Sequence, residues 1–172
     1  MPQAIINIAD ITFDPTPPLF APTGAAAERF DAKTGMIGSR LGAQKLGYNI
    51  TAVPPGKRAW PFHNHRGKEE MFFVLQGNGE IRIGEATYPI RTGDIIACPA
   101  GGRETAHQII NTGTEELRYL AVSTESSLEA AEYPDSRKFA VRVELGTTPD
   151  GKPQQLVFVG RESQSLNFWD GE

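Results

Sequence analysis

The sequence has little of what would cross-link the chain or carry it into a membrane. Its single cysteine, Cys98, cannot form a disulfide within the chain, which excludes a disulfide-rich extracellular scaffold. No apolar run approaches the ~18 residues that span a bilayer, and residues 1–13 lack the basic start and apolar stretch of a secretion signal. We therefore expect a soluble, cytoplasmic protein that does not bind membranes.

Clustered positive charge is also missing. The 172 residues carry 17 Lys and Arg against 21 Asp and Glu, a formal net charge of −4, and no dense basic cluster. Because proteins hold a nucleic-acid backbone through such clusters, we predict that nucleic acid is not a partner. Hydrophobic residues make up 39% of the chain, which is enough to build a core without cross-links.

Turn-forming residues are frequent instead, since the chain has 18 Gly and 13 Pro. From Leu46 onward they separate short stretches rich in β-branched and aromatic residues, which predicts strands joined by tight turns. Connections too short for crossover helices favour an antiparallel barrel or sandwich, so the predicted fold class is all-β. The predicted strands cover residues 46–53, 59–65, 70–75, 80–83, 87–90, 94–98, 105–110 and 117–123.

The pattern divides the chain into three segments. Residues 1–45 are predicted to form an arm that packs on the barrel or on a partner, because four prolines between positions 15 and 22 disfavour regular structure. Residues 46–125 are predicted to form the barrel, and residues 126–172 a C-terminal extension. The elements predicted in the extension are a short helix over 126–132 and strands over 139–145 and 155–159.

Histidine is rare, and its placement points to a site. The three histidines are His63, His65 and His107, and a single residue separates the first two. In a strand such a pair points to one face with Cα atoms ~6.6–6.8 Å apart, so both imidazoles can contact one ion. After a short turn, the alternation of side chains places Glu70 at the mouth of an otherwise apolar strand face. A surface ion pair of Glu70 with a neighbouring cation is the alternative, but the paired histidines favour a metal site.

Two motifs in this region resemble the signatures of the cupin superfamily. The spacing departs from the pattern twice. Six residues separate Gly56 from His63, one more than the first signature has, and five separate Gly101 from His107, three more than the second signature has. The longer second insertion implies a loop of different shape before His107. The first motif comprises Gly56, His63, His65, Glu70 and Gly77, and the second comprises Gly93, Pro99, Gly101, His107 and Asn111.

The resemblance implies a double-stranded β-helix, the jelly-roll barrel of the cupins, with an N-terminal arm and a short C-terminal extension. It also implies that His63, His65, Glu70 and His107 hold a divalent transition metal, which these ligands leave open as Zn, Mn, Fe, Ni, Co or Cu. Four protein ligands leave two adjacent positions of an octahedral ion for water or a bidentate oxygen ligand. A barrel that has lost its metal site is the alternative, and the complete ligand set disfavours it.

The chain also resembles a group of bacterial single-domain cupins that are loosely labelled sugar-phosphate isomerases. The similar stretches include residues 46–56, 69–77, 105–111 and 117–124. We predict an enzyme that uses a divalent metal as a Lewis acid on a small oxygen-rich substrate, in the manner of a sugar-phosphate isomerase or a decarboxylase. A metal-dependent dioxygenase and a non-catalytic small-ligand-binding cupin remain open as alternatives. The resemblance further implies a homodimer, with apolar residues of the arm contributing to the interface.

Three further residues are candidates for catalytic or substrate contacts. Arg103 and Glu104 lie in the enlarged loop before His107, and we expect them at the rim of the pocket. Arg103 there would clamp a carboxylate or phosphate of the substrate, and Glu104 would serve an isomerase as a base. Arg58 is a rival for the same clamp. The alternative for Arg103 and Glu104 is a surface ion pair worth ~0–1 kcal/mol.

Overall fold

Antiparallel β-strands dominate the regular secondary structure, as the frequent turns predict. The computed structural model describes residues 3–151 and 153–172. One short α-helix, α1 (Gly38–Leu41), is assigned in this part of the chain, and none of its helices is long and apolar enough to cross a membrane. The strands are β1 (Asp14–Pro15), β2 (Lys33–Met36), β3 (Leu46–Val53), β4 (Asn64–His65), β5 (Glu70–Gln76), β6 (Asn78–Ile83), β7 (Ala86–Arg91), β8 (Ile95–Cys98), β9 (His107–Ile110), β10 (Leu117–Thr124), β11 (Leu128–Tyr133), β12 (Lys138–Thr147) and β13 (Pro153–Gly160).

One wall of the barrel is a sheet with the strand order β1-β2-β3-β10-β5-β8. Strand β5 lies between β10 and β8, so both of its edges are hydrogen-bonded. Its first residue, Glu70, is opposite Ser123 of β10 and Cys98 of β8. Because a central strand cannot slip in register without turning its apolar face outward, this pairing holds Glu70 in a defined position.

The opposite wall consists of two smaller sheets, β7-β6-β9 and β13-β12-β11-β4. The segment that precedes β4, residues 58–63, is tied to β9 by antiparallel bridges that join Arg58 to Ile110 and His63 to His107. Side chains from both walls meet in one buried core, and each fully buried aliphatic or aromatic side chain contributes ~1.5–3 kcal/mol. The larger members of this core are Val53, Phe72, Val74, Ile81, Ile90, Ile96, Ile109, Leu117 and Tyr119.

The helix predicted over residues 126–132 is wrong, because this segment contains strand β11. Ala and Glu are good helix formers, but β11 pairs with β4 on one side and β12 on the other. Along β11 the buried residues Glu129 and Ala131 alternate with more exposed neighbours. Pairing on both edges therefore outweighs the local helix propensity, and β11 becomes a neighbour of the strand that carries His65.

Two strand predictions and the description of the arm also need correction. Of residues 59–65, only Asn64–His65 enter a ladder, and before β9 a 3-10 turn occupies Arg103–Thr105. The segment before Leu46 contains β1 and β2, with Pro15 on an edge strand where its missing N–H is tolerated. The arm is thereby joined to β3, and its Ile11 packs with Ile37 and Ile50 in a second small core.

Candidate metal centre

Four side chains from three parts of the chain meet inside the barrel. His63 faces His107 across their bridge, His65 lies on β4, and Glu70 begins β5 on the opposite wall. One ligand atom from each residue can be chosen so that all four lie within 4.8 Å of one another. The structure thus brings together all four residues that the sequence motifs single out, in a cluster able to hold a metal ion.

The Glu70 carboxylate is the centre of this cluster. Its Oε2 atom lies 2.9 Å from Nε2 of His107, 3.3 Å from Nε2 of His65 and 4.0 Å from Nε2 of His63. All three imidazoles therefore present the same nitrogen to the same oxygen. A cation among these atoms would meet nitrogen and oxygen donors, which are ligands that first-row transition metals accept.

The outer nitrogen of each imidazole is engaged as well. Every Nδ1 faces an oxygen acceptor, so Nδ1–H can donate outward, and an ion at the centre would take the Nε2 lone pairs in place of the protons shared with Glu70. The acceptors are the Pro61 carbonyl for His63 at 2.7 Å, Glu129 Oε1 for His65 at 3.3 Å and the Thr105 carbonyl for His107 at 3.2 Å. Outward hydrogen bonds of this kind orient histidine ligands in metal sites.

The electrostatics of the cluster suit metal ligation at Glu70 and His63, and at His65 they favour a proton that a metal would displace. Burial opposes the charged form of Glu70, but hydrogen bonds from His107 and His65 outweigh burial and hold its pKa well below the usual range. Burial, together with the nearby His107, lowers the pKa of His63 to about 4. Burial also opposes the charged form of His65, yet Glu70 and Glu129 outweigh it and raise the pKa of His65. An ionised carboxylate and an uncharged His63 are the protonation states that a metal requires.

A cavity of about 250 Å³ opens beside the cluster. Its walls are largely apolar, and they include Phe72 and Ile109. Cys98 is 2% exposed and does not line this cavity. Burial, assisted by the Glu70 charge, raises the pKa of its thiol to about 12, so Cys98 is a core residue rather than a nucleophile.

Strand β11 supplies two residues that the sequence analysis missed. Glu129 is 6% exposed, with one oxygen facing His65 and the other, Oε2, without a hydrogen-bond partner in the described part of the chain. The Tyr133 ring stacks near His63 with a centroid distance of 6.2 Å and an interplanar angle of 25°. Alternation of Glu129, Ala131 and Tyr133 was a strand signal, but good helix formers in the segment obscured it.

The three catalytic candidates lie away from the cluster. Arg103 and Glu104 are exposed and line a separate depression with residues 83–86, rather than the metal cavity. The Glu104 carboxylate accepts a hydrogen bond from the Gly102 N–H at 2.9 Å, which lowers its pKa. Arg58 lines a different, neighbouring cleft. The catalytic roles of all three residues stay predictions, and the expected position of Arg103 and Glu104 at the rim of the metal cavity finds no support here.

Comparison with known proteins identifies the barrel. Residues 49–123 match the family model of the cupin domain. The chain is 34% identical over 70 residues to an oxalate-binding protein from Thermotoga maritima, an alignment that covers 41% of this chain and 54% of that protein. The chain thus spans about half the length of this curated relative.

Two solved structures share the architecture. A protein from Acidithiobacillus ferrooxidans, provisionally assigned as a sugar phosphate isomerase, has a TM-score of 0.62 and 27% identity over 73% of this chain and 76% of its own. A cupin-superfamily sugar phosphate isomerase from Silicibacter pomeroyi has a TM-score of 0.74 over 96% of this chain and 98% of its own, and at 21% identity it supports the fold alone. The barrel, its motifs and these similarities together show that residues 49–123 form a cupin domain.

Proposed function

We propose that the cluster binds one divalent transition metal ion and that the chain is an enzyme acting on a small oxygen-rich substrate beside it. The observation that carries this proposal is the convergence of three Nε2 atoms on Glu70 while every Nδ1 is engaged outward. Such a donor set suits Zn, Mn, Fe, Ni, Co and Cu, and affinity alone favours Cu and Zn.

The charge of the site favours a substrate that offers anionic oxygen. Three neutral imidazoles and one carboxylate leave a divalent ion with a net positive charge, which attracts oxygen donors. When bound, the ion would act as a Lewis acid that polarises a carbonyl or stabilises negative charge on oxygen. The protein orients this centre through the outward hydrogen bonds of its histidines.

The cavity limits the size of the substrate. Its volume of about 250 Å³ is below the ~300–1,000 Å³ of pockets for drug-sized ligands, so a molecule with few carbon atoms fits best. Phe72, Ile109 and Tyr119 on its walls keep the surroundings of the cluster dry, which strengthens electrostatic contacts. Gln108 also lines the cavity, and the N–H of its amide that is not donated to Trp60 can orient an oxygen atom of a substrate.

The names of two relatives agree with this substrate class. One relative is an oxalate-binding protein, and the Acidithiobacillus structure is provisionally assigned to sugar phosphates. Both ligands are small and rich in oxygen, and both can present two oxygen atoms to one ion. They support an isomerase-like or decarboxylase-like reaction for this chain.

Ligand binding without catalysis is a second candidate, and one observation favours it. Apart from the four cluster residues, Tyr119 is the only side chain lining the metal cavity, among the described residues, that has an ionisable group. Burial raises the pKa of Tyr119, so its hydroxyl stays protonated at neutral pH and cannot take up a proton from a substrate. Proton transfer would then depend on the cluster itself or on the substrate.

Metal analysis tests the proposal, with two adjacent glutamates as a matched pair. Protein purified without added metal should contain about one divalent ion per chain by mass spectrometry, as a single closed ligand set requires. Glu70→Gln should lose most of this metal because it removes the central carboxylate, whereas Glu69→Gln, at an exposed neighbouring position, should keep it.

Assays on the same preparations separate the two candidates. Turnover of sugar phosphates or oxalate by wild type and Glu69→Gln, with loss in Glu70→Gln, would support the enzyme. Saturable binding without turnover would support the binding function. Wild-type protein that contains no metal and gains no thermal stability from added Zn or Mn would contradict the metal site itself.

A further inference from the structure

A second and larger cleft lies next to the metal cavity. Its volume is about 410 Å³, and it is bounded by the arm, by residues 58–62 and by the turn that follows Tyr133. Trp60 and Gln108 line both this cleft and the metal cavity, so the two spaces share a wall. The Gln108 side chain donates a hydrogen bond to the Trp60 carbonyl at 2.7 Å, which fixes that wall.

Positive charge is concentrated in this cleft. Arg29, Arg58 and Lys138 line it, and none of them takes part in an ion pair with another described residue. Two aspartates also line it, but the Asp135 carboxylate is bound by Arg82 through contacts of 2.8 and 3.0 Å. Asp31 is thus the one lining carboxylate without a cation in the described part of the chain, which leaves an excess of positive charge.

The backbone segments that carry two of these cations are hydrogen-bonded to each other. The Arg58 N–H donates to the Arg29 carbonyl at 2.9 Å, and the Asp31 N–H donates to the Arg58 carbonyl at 3.3 Å. The arm therefore runs beside residue 58 as a short parallel bridge between Phe30 and Arg58. These hydrogen bonds fix the arm as one side of the cleft.

The third cation, Lys138, lies at the start of β12, on the side of the cleft that also carries Tyr133. The Lys138 ammonium lies 5.7 Å from the centroid of the Tyr133 ring. Phe30, Trp60 and Tyr133 line the same cleft. Cations and aromatic surfaces together suit a ligand with an anionic group and a small, flat or apolar body. The guanidinium groups can bind phosphate or carboxylate through paired hydrogen bonds.

We propose that this cleft is an anion-binding site for the phosphate or carboxylate group of a small molecule. Arg29, Arg58 and Lys138 provide the charge, and the site works without an ion in the metal cluster. The proposal therefore does not depend on the metal chemistry proposed above.

Titration of the metal-free protein with inorganic phosphate and with oxalate tests this inference. After treatment with EDTA and its removal, calorimetry should show saturable binding of at least one of the two anions. Sodium chloride at matched ionic strength should not give saturable binding, because it screens the charges without occupying a defined site. Arg58→Gln should weaken binding by about tenfold or more, since it removes a charged hydrogen-bond donor pair. Arg91→Gln, which makes the same charge change at an exposed position outside the cleft, should leave binding unchanged.

Two further variants keep the test decisive. Arg29 is exposed, so Arg29→Gln should fold normally by circular dichroism and still weaken binding if Arg58→Gln proves unstable. Glu70→Gln should retain anion binding in the metal-free protein, because Glu70 does not line this cleft. Binding of phosphate alone would assign phosphate ligands, and binding of oxalate alone would assign carboxylates. The proposal is overturned by absence of both, by an equal loss in Arg91→Gln, or by loss in Glu70→Gln.

Discussion

His65 differs from the other two histidines because its outer nitrogen faces a carboxylate rather than a backbone carbonyl. Glu129 Oε1 lies 3.3 Å from His65 Nδ1, and the carboxylate is buried behind the ring. A carboxylate in this position fixes the ring and increases the basicity of the nitrogen that faces the metal. Glu129 is therefore expected to act on the metal through His65, as a positioning residue.

Replacement of this carboxylate should weaken metal binding without unfolding the protein. Glu129→Gln preserves the shape of the side chain but removes its charge, and we expect metal affinity to fall by ~10–100-fold. The affinity is measured by competition with a chromogenic chelator, with Glu115→Gln, at an exposed position, as the control. Equal affinities of Glu129→Gln and wild type would show that Glu129 is only a packed residue.

The sequence predicts the metal ligands better than it predicts the residues that orient them, because those residues lie far from the ligands along the chain. His63, His65 and Glu70 lie within residues 63–70, on consecutive segments joined by a short turn, so spacing and alternation suffice to bring them together. Glu129 is 64 positions away from His65 and reaches it only because β11 pairs with β4. Such a contact has no local signature in the sequence.

At the level of secondary structure, the pairing of β9 with β6 positions His107. Strand β3 lies where the residue pattern predicts it, because β-branched and aromatic residues bounded by turn residues are an unambiguous strand signal. The pattern fails for β11, where Ala and Glu favour a helix in isolation. In β6, Gly79 lies so close to β9 that a Cβ there would meet the Ile110 carbonyl oxygen.

Gly79→Ala should accordingly destabilise this part of the barrel. The added methyl group has backbone rather than a flexible side chain as its neighbour, so β6 and β9 must separate, at a cost of about 1–3 kcal/mol. Urea unfolding monitored by tryptophan fluorescence should show a lower midpoint. Thr87→Ala, at an exposed position on the adjacent strand β7, should leave the midpoint nearly unchanged. A midpoint for Gly79→Ala equal to that of wild type would contradict the close approach of the strands.

For the whole molecule, the arm leaves apolar side chains uncovered. Ile11 is packed against the barrel, but Ile5 is 79% exposed, Ile8 55% and Phe20 52%. Scattered apolar residues are common on surfaces, whereas several on one segment suit an interface. We propose that the chain forms a homodimer and that the arm contributes to its interface.

Light scattering after size-exclusion chromatography tests this assembly. We expect a mass of twice the 18.7 kDa chain, and Ile8→Glu should shift the protein towards the monomer because it places a charge in the interface. Leu156→Glu introduces the same change on β13, where residue 156 is also exposed, and should leave the dimer intact. A wild-type monomer, or dissociation by Leu156→Glu alone, would contradict the role of the arm.

Anomalous X-ray diffraction would locate the single metal ion that we propose His63, His65, Glu70 and His107 hold together. Data from crystals of metal-containing protein would be collected above and below the absorption edge of the element that mass spectrometry identifies. We expect one anomalous peak in contact with the Nε2 atoms of the three histidines and with the Glu70 carboxylate. Absence of a peak at this position, or contact through the Nδ1 atoms, would contradict this proposal.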